Sequence, residues 1–147
     1  PLAGDLRTIV TLLLVSNELE RMGDYAEGIG KIGLLIGKEP LLKPLIDIPR
    51  IGELASNMLR LSLETLVSRD VEGAKKVILM DDDVDALYNQ IYRELVLMII
   101  ENPKNIQRAT YLLWVAHDLE RIADRATNIS ERTIFMVTGQ NWDFGDM

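Results

Sequence analysis

The sequence predicts an all-α helical bundle. Ala, Leu, Glu, Arg and Met dominate it, and apolar residues recur in alternating three- and four-residue steps. No stretch alternates polar with β-branched residues as a strand would. With 147 residues, 48% hydrophobic and 27% charged, the chain is long enough for one domain with a buried core. The helical pattern also occurs twice, a hundred residues apart, which marks a duplicated helical unit.

The first helix is expected over residues 5–36, with Gly37 as its C-cap and Pro40 just beyond. Leu12, Val15, Leu19, Met22, Ala26, Ile29 and Ile36 form its core stripe, and Gly33 takes the one remaining step. Residues 38–48, which hold Pro40 and Pro44, form a linker. Asp47 is placed to cap a second helix with Pro49 in its first turn. Ile51, Leu54, Met58, Leu61 and Thr65 make its inner face, and it stops near Ser68. Asp70 caps a third helix that runs unbroken to about Ile100, where Asn102-Pro103 ends it. The fourth helix covers residues 105–138 and closes at Gly139. Its stripe of Leu112, Val115, Leu119, Ile122, Ala126, Ile129 and Met136 repeats that of the first helix.

The first and fourth helices are therefore copies of one element. If each unit has three helices, residues 1–37 are the third helix of a first unit and residues 49–139 are a complete second unit. Residues 140–147 are a loose tail, and the chain reads as a fragment or trimmed piece. Residues 12–15 and 111–116 are apolar on nearly all sides. Four helices can cover the second of these runs but leave the first partly open.

The formal net charge of −7, with Lys and Arg scattered, argues against a nucleic-acid surface and for cations or basic partners. The chain has no cysteine, which excludes disulfides and thiolate metal sites and makes a cytoplasmic location the default. No apolar run approaches the roughly 20 residues that span a bilayer, and no signal-peptide pattern is present.

Each copy carries Glu-Arg-x-x-Asp: Glu20 with Asp24, and Glu120 with Asp124. Residues four apart stack on one helix face, so each copy holds two carboxylates that repel each other unless something positive lies between them. Both pairs fall off the core stripe. The same face adds Asn17 and Glu27 in the first copy and His117, Asn128 and Glu131 in the second. A third acidic group, Asp81-Asp82-Asp83-Val84-Asp85, repeats the four-residue spacing at Asp81 and Asp85. One seam through this helix buries Asp81, which is costly for a carboxylate unless it is paired or coordinated; a seam through Met80, Val84, Leu87 and Ile91 leaves the aspartates in water. If the third helix packs beside the fourth, Asp81 or Asp85 could complete a metal site with Glu120 and Asp124. Oxygen donors with one imidazole suit Mg, Mn, Fe or Zn. The competing reading is a solvated polar face.

Other motifs lead nowhere. Gly28-x-Gly30-x-x-Gly33 has no strand before it, so it is no dinucleotide loop. Asp81, Asp83 and Asp85 imitate an EF-hand start, but Ala86 and Tyr92 stand where Gly and Glu are needed. His117 is the single histidine, which rules out a histidine pair and reads as structural.

With the Leu-Glu-Arg-(Met/Ile)-(Gly/Ala)-Asp core come the lead-ins Asp5-Leu6-Arg7 and Glu18 or Asp118. Lys43-Pro44-Leu45, Ile48-Pro49, Arg69-Asp70, Asp82-Asp83-Val84-Asp85-Ala86-Leu87-Tyr88 and Val137-Thr138-Gly139 complete the set. On these residues the chain resembles the PhoU family of phosphate-uptake regulators over almost its full length. The resemblance implies an antiparallel bundle of two three-helix units whose Glu/Asp-x-x-x-Asp motifs hold divalent or trivalent metal ions (Fe, Zn, Mn or Mg), singly or as a multinuclear cluster. It also implies a non-enzymatic, homodimeric cytoplasmic adaptor that links a phosphate ABC transporter to a sensor histidine kinase and represses the phosphate-starvation response. The metal ligands it implies here are Glu120, Asp124, Asp81, Asp85, Glu20 and Asp24, with Asn128 and Glu131 extending the second site. Gly28 and Lys31 replace those last two in the first copy, so the second site is expected to bind metal and the first weakly or not at all. The alternative is a dimerising or docking module whose acidic face binds a basic partner without metal.

Overall fold

The computed structural model describes residues 2–142. Its elements are α1 (Leu2–Ile36), α2 (Asp47–Ser68), α3 (Val71–Leu79), α4 (Asp81–Glu101), a single 3₁₀ turn (Pro103–Asn105) and α5 (Ile106–Thr138), with no strand among the described residues. The predicted all-α bundle is what forms. α5 is its axis: α1, α2, α3 and α4 all pack on it, and among the described helices α1 packs on α5 alone.

The sequence of α5 explains this central place. Ala109, Ala116, Ala123 and Ala126 are fully buried and let neighbouring helices approach closely, while Leu112, Ile129, Ile134 and Met136 fill the spaces between. Ile51 and Met58 of α2, Val77 of α3, and Val84, Ile91 and Leu95 of α4 complete the core. Burying each large side chain contributes on the order of 1.5–3 kcal/mol.

Helix ends follow local chemistry. Asp70 caps α3, its carboxylate accepting from the Gly73 amide at 2.9 Å. Gly37 and Gly139 take the left-handed conformation that closes α1 and α5. Asp47, expected to be a cap, is instead the first residue of α2, and Ile46 stands at the cap without a side-chain bond. The Asp47 carboxylate is used otherwise, accepting from Arg50 at 3.5 Å and from Gln90 of α4 at 3.2 Å.

Three expectations need correction. The third helix is not continuous. At Met80 the backbone tightens, its amide bonding both Lys76 and Val77 carbonyls, and α4 starts afresh at Asp81. Three successive aspartates favour a helix start over a helix interior, because their charge complements the positive N-terminal end of the helix dipole. Next, the buried stripe of α1 is Thr11, Val15, Met22 and Ile32, whereas Leu12 (51% exposed) and Leu19 lie outside it. A helix apolar all round has no unique phase, and its single neighbour selects one narrow seam. The expectation that the start of α1 is open holds: Leu6, Ile9 and Leu13 are exposed. Lastly, Trp142 is not loose; it packs on the small cluster of Val71, Ala74, Ile78 and Ile134, with the Lys75 ammonium 5.4 Å from its ring. The rest of the predicted tail, residues 143–147, lies outside the described residues. No helix among the described residues is long and apolar enough to cross a membrane.

Candidate functional site

α1 and α5 run antiparallel. Arg7 lies against Gly139, Glu18 against Arg125 and Asn128, and Gly28 against Asp118, while Leu35 and Ile36 share a small hollow with Arg108 and Leu112. This register brings the two Glu-x-x-x-Asp motifs to the same height on the helix pair. Each motif begins two residues, about 200° around its helix, after the acid that faces the other helix, Glu18 or Asp118, so Glu20 and Asp24 lie on the outer side of α1 and Glu120 and Asp124 on the outer side of α5.

The two sides differ in their surroundings. Glu20 and Asp24 are exposed to water on the face of α1 that no described helix covers. Glu120 and Asp124 lie within electrostatic reach of Asp81 and Asp85 in the first turns of α4. Burial pushes the Asp81 carboxyl up to about 7, with the negative charges of Asp85, Asp124 and Glu120 adding to the effect. Burial and then Asp124 and Asp82 raise Asp85. Glu120 is raised by burial and by Asp124, against the lowering pull of Arg121. One oxygen of Asp81 is buried without a hydrogen-bond partner. The seam question thus has an intermediate answer: Val84, Leu87 and Ile91 form the core line, and Asp81 is half-buried beside it.

Two counter-charges touch the rim. Arg121 approaches Asp124 at 3.6 Å, and the His117 imidazole lies 3.8 Å from Glu120. The His117 ring also meets Tyr88 of α4, centroids 6.1 Å apart. Among the described residues no three Asp, Glu or His side chains converge closely enough to hold a metal ion as they stand.

Asn128 and Glu131 are placed elsewhere. The Asn128 amide donates to Glu18 of α1 at 3.4 Å, and the charges that act on Glu131 are Arg132 and Glu18. The centre of that second group is the Glu18–Arg125 ion pair at 3.3 Å, with both side chains 14% exposed. Sequence reasoning missed this pair. Its signal was the acid that recurs two residues before each motif, Glu18 and Asp118, which the antiparallel register turns inward. Asp118 faces the backbone of Gly28, where a Cβ would come within 2.8 Å of its oxygen. That close approach accounts for the first glycine of the discarded Gly28-x-Gly30-x-x-Gly33 motif.

A family model described as the PhoU domain matches residues 1–33 and 48–133. The chain belongs to the PhoU family. It is 44% identical over 140 residues to a phosphate-specific transport system accessory protein PhoU homolog of Aquifex aeolicus, covering 95% of this chain and 63% of that protein. A homolog of the same name from Deinococcus radiodurans is 38% identical over 139 residues, covering 95% and 65%. The chain therefore spans less than two thirds of the length of these relatives. The crystal structure of PhoU from Pseudomonas aeruginosa superimposes with a TM-score of 0.90 at 31% identity, covering 95% of this chain and 68% of that one. PhoU-family membership and the helical-bundle fold thus agree with the resemblance read from the motifs.

Proposed function

We propose that this chain acts in regulating phosphate uptake, as a non-enzymatic adaptor that binds metal at Asp81, Asp85, Glu120 and Asp124. The names of its relatives support the transport-accessory part. The observation that carries the metal part is the buried Asp81 oxygen without a hydrogen-bond partner, on a carboxyl that feels the charges of Asp85, Asp124 and Glu120 from α4 and α5. The donor set fits a hard or borderline cation. An ion held there would neutralise the mutual repulsion and cross-link the start of α4 to the middle of α5. Small rotamer changes of surface carboxylates are needed for the donors to converge. Glu20 and Asp24, without acids opposite them in the described chain, bind weakly or not at all, and Asn128 and Glu131 serve the α1–α5 contact first. The adaptor works in the cytoplasm as a homodimer, linking a phosphate ABC transporter to a sensor histidine kinase and repressing the starvation response.

The test is elemental analysis of the purified chain beside a Glu120→Ala/Asp124→Ala double variant. Metal content that falls to background in the variant supports the site, and unchanged content overturns it. The lack of three converged ligands favours a second reading, in which the acidic face docks a basic partner without metal. Partner binding that survives dialysis against a chelator decides for that reading.

A further inference from the structure

We propose that one end of the bundle, built from the C-terminus of α1, the segment after it, the C-terminus of α4 and the start of α5, docks on an anionic lipid bilayer surface. Hydrogen bonds tie these pieces together. Arg108 of α5 donates to the Pro40 carbonyl at 3.5 Å and to Asn105 at 3.3 Å, and the Asn105 amide donates to the Met98 carbonyl at 3.1 Å. Lys43 is paired with Glu94 of α4. At this end Leu34, Leu35, Leu41, Leu97, Ile100 and Ile106 are exposed, Leu34 to 83% and Ile100 to 69%. Large aliphatic side chains from four separate segments thus meet water at one end, which marks a contact surface. Leu97 lies about 24 Å along α4 from Asp81, so this surface is separate from the carboxylate group.

Spacing and charge select the occupant. A second exposed apolar run, Leu2, Leu6, Ile9 and Leu13 at the opposite end, recurs in four- and three-residue steps, the seam that another helix covers. The residues at the docking end follow no such repeat, because they are the tips of helix ends and of a connecting segment. A helix needs matching ridges and grooves, whereas the boundary of a fluid bilayer accepts apolar tips in any arrangement. Charge points the same way. Residues 34–46 and 97–108 carry Lys38, Lys43, Lys104 and Arg108 against Glu39 and Glu101, a net of +2 within a chain of −7. The Arg108 bonds go to neutral oxygens, and Lys38 and Lys104 are in no ion pair among the described residues. Their long side chains lay apolar stems beside the leucines and hold the charge at the level of lipid phosphates.

The test is sedimentation with vesicles of phosphatidylcholine alone and of phosphatidylcholine with about 30% phosphatidylglycerol. EDTA is present throughout, so a failure here leaves the metal reading standing. The chain of residues 1–147 is compared with Leu34→Ser/Ile100→Ser, Lys104→Glu and Leu6→Ser/Leu13→Ser, all at exposed positions, with circular dichroism confirming that each variant is folded. Wild type should bind the anionic vesicles at least tenfold more tightly than the neutral ones, and more weakly as NaCl rises. Affinity for the anionic vesicles should fall roughly tenfold in Leu34→Ser/Ile100→Ser and roughly fivefold in Lys104→Glu. Leu6→Ser/Leu13→Ser should change it less than twofold. Wild type that stays in the supernatant with both vesicles overturns the proposal and gives this face to a protein partner. Equal affinity for the two vesicles overturns it as well, as does binding that Leu6→Ser/Leu13→Ser removes and Leu34→Ser/Ile100→Ser spares.

Discussion

Asp81→Asn is the substitution that most directly tests the carboxylate cluster as a physical object. In the folded chain burial and four neighbouring acids lift the Asp81 pKa from 3.8 to about 7. Between those two values the folded state holds a proton that the unfolded state has lost, so stability falls as pH rises through this window. A shift of that size corresponds to roughly 4 kcal/mol for a wholly desolvated group. Asp81 keeps part of its surface in water, and screening reduces the usable amount to about 1–2 kcal/mol. Asn keeps the shape and removes the charge. In the presence of EDTA at pH 8, the variant should therefore unfold roughly 2–8 °C above wild type, given the few degrees per kcal/mol expected for a domain of this size. Near pH 4 the gap closes, because wild-type Asp81 is then protonated in the folded state as well. Thermal unfolding followed by circular dichroism at both pH values reads the difference. A gap of equal size at pH 4 and pH 8, or a less stable variant at pH 8, would refute the assignment of Asp81 to a repulsive, half-buried site.

Two further outcomes follow from the α1–α5 contact. Arg125→Met leaves the Glu18 carboxylate largely buried without its counter-ion and should cost about 3 kcal/mol in urea unfolding, whereas adding Glu18→Gln recovers most of that loss; a double variant as unstable as the single one counts against the pair. Gly30→Ala and Gly33→Ala meet nothing within 4 Å, so each should raise stability by roughly 0.5–1 kcal/mol. Gly28→Ala should gain less than either, since its new methyl crowds Asp118.

Most of the fold was legible because its signals are local. Asp70 before a helix, Gly37 and Gly139 after one, and the doubled stripe each act through a few neighbouring residues. The break at Met80 was harder to read. Apolar periodicity runs through it, and the competing signal, three aspartates seeking a helix N-terminus, looked like a surface cluster. The phase of α1 could not be read from sequence at all, since Leu12, Leu13, Val15 and Thr11 offer several seams and only the position of α5 chooses among them.

The site was legible in part for a related reason. Glu120 with Asp124 and Asp81 with Asp85 are pairs four residues apart, and once α4 lies beside α5 their shared face follows from helix geometry. Asn128 and Glu131 lie on nearly the same strip of α5, so the sequence offered no reason to separate them from that group. What separates them is α1. Its antiparallel register delivers Glu18 to Asn128 and Arg125, and a carboxylate with little access to water draws the nearest donors to itself. The duplicated motif therefore serves two purposes on one helix. Glu120 and Asp124 face α4 with Arg121 and His117 only at their rim, and the next turns, Arg125 and Asn128, spend their donors on holding the two copies together. In the reading proposed above a cation sits at the first position and not at the second, and this division makes Asp81, rather than Asn128, the residue on which that reading turns.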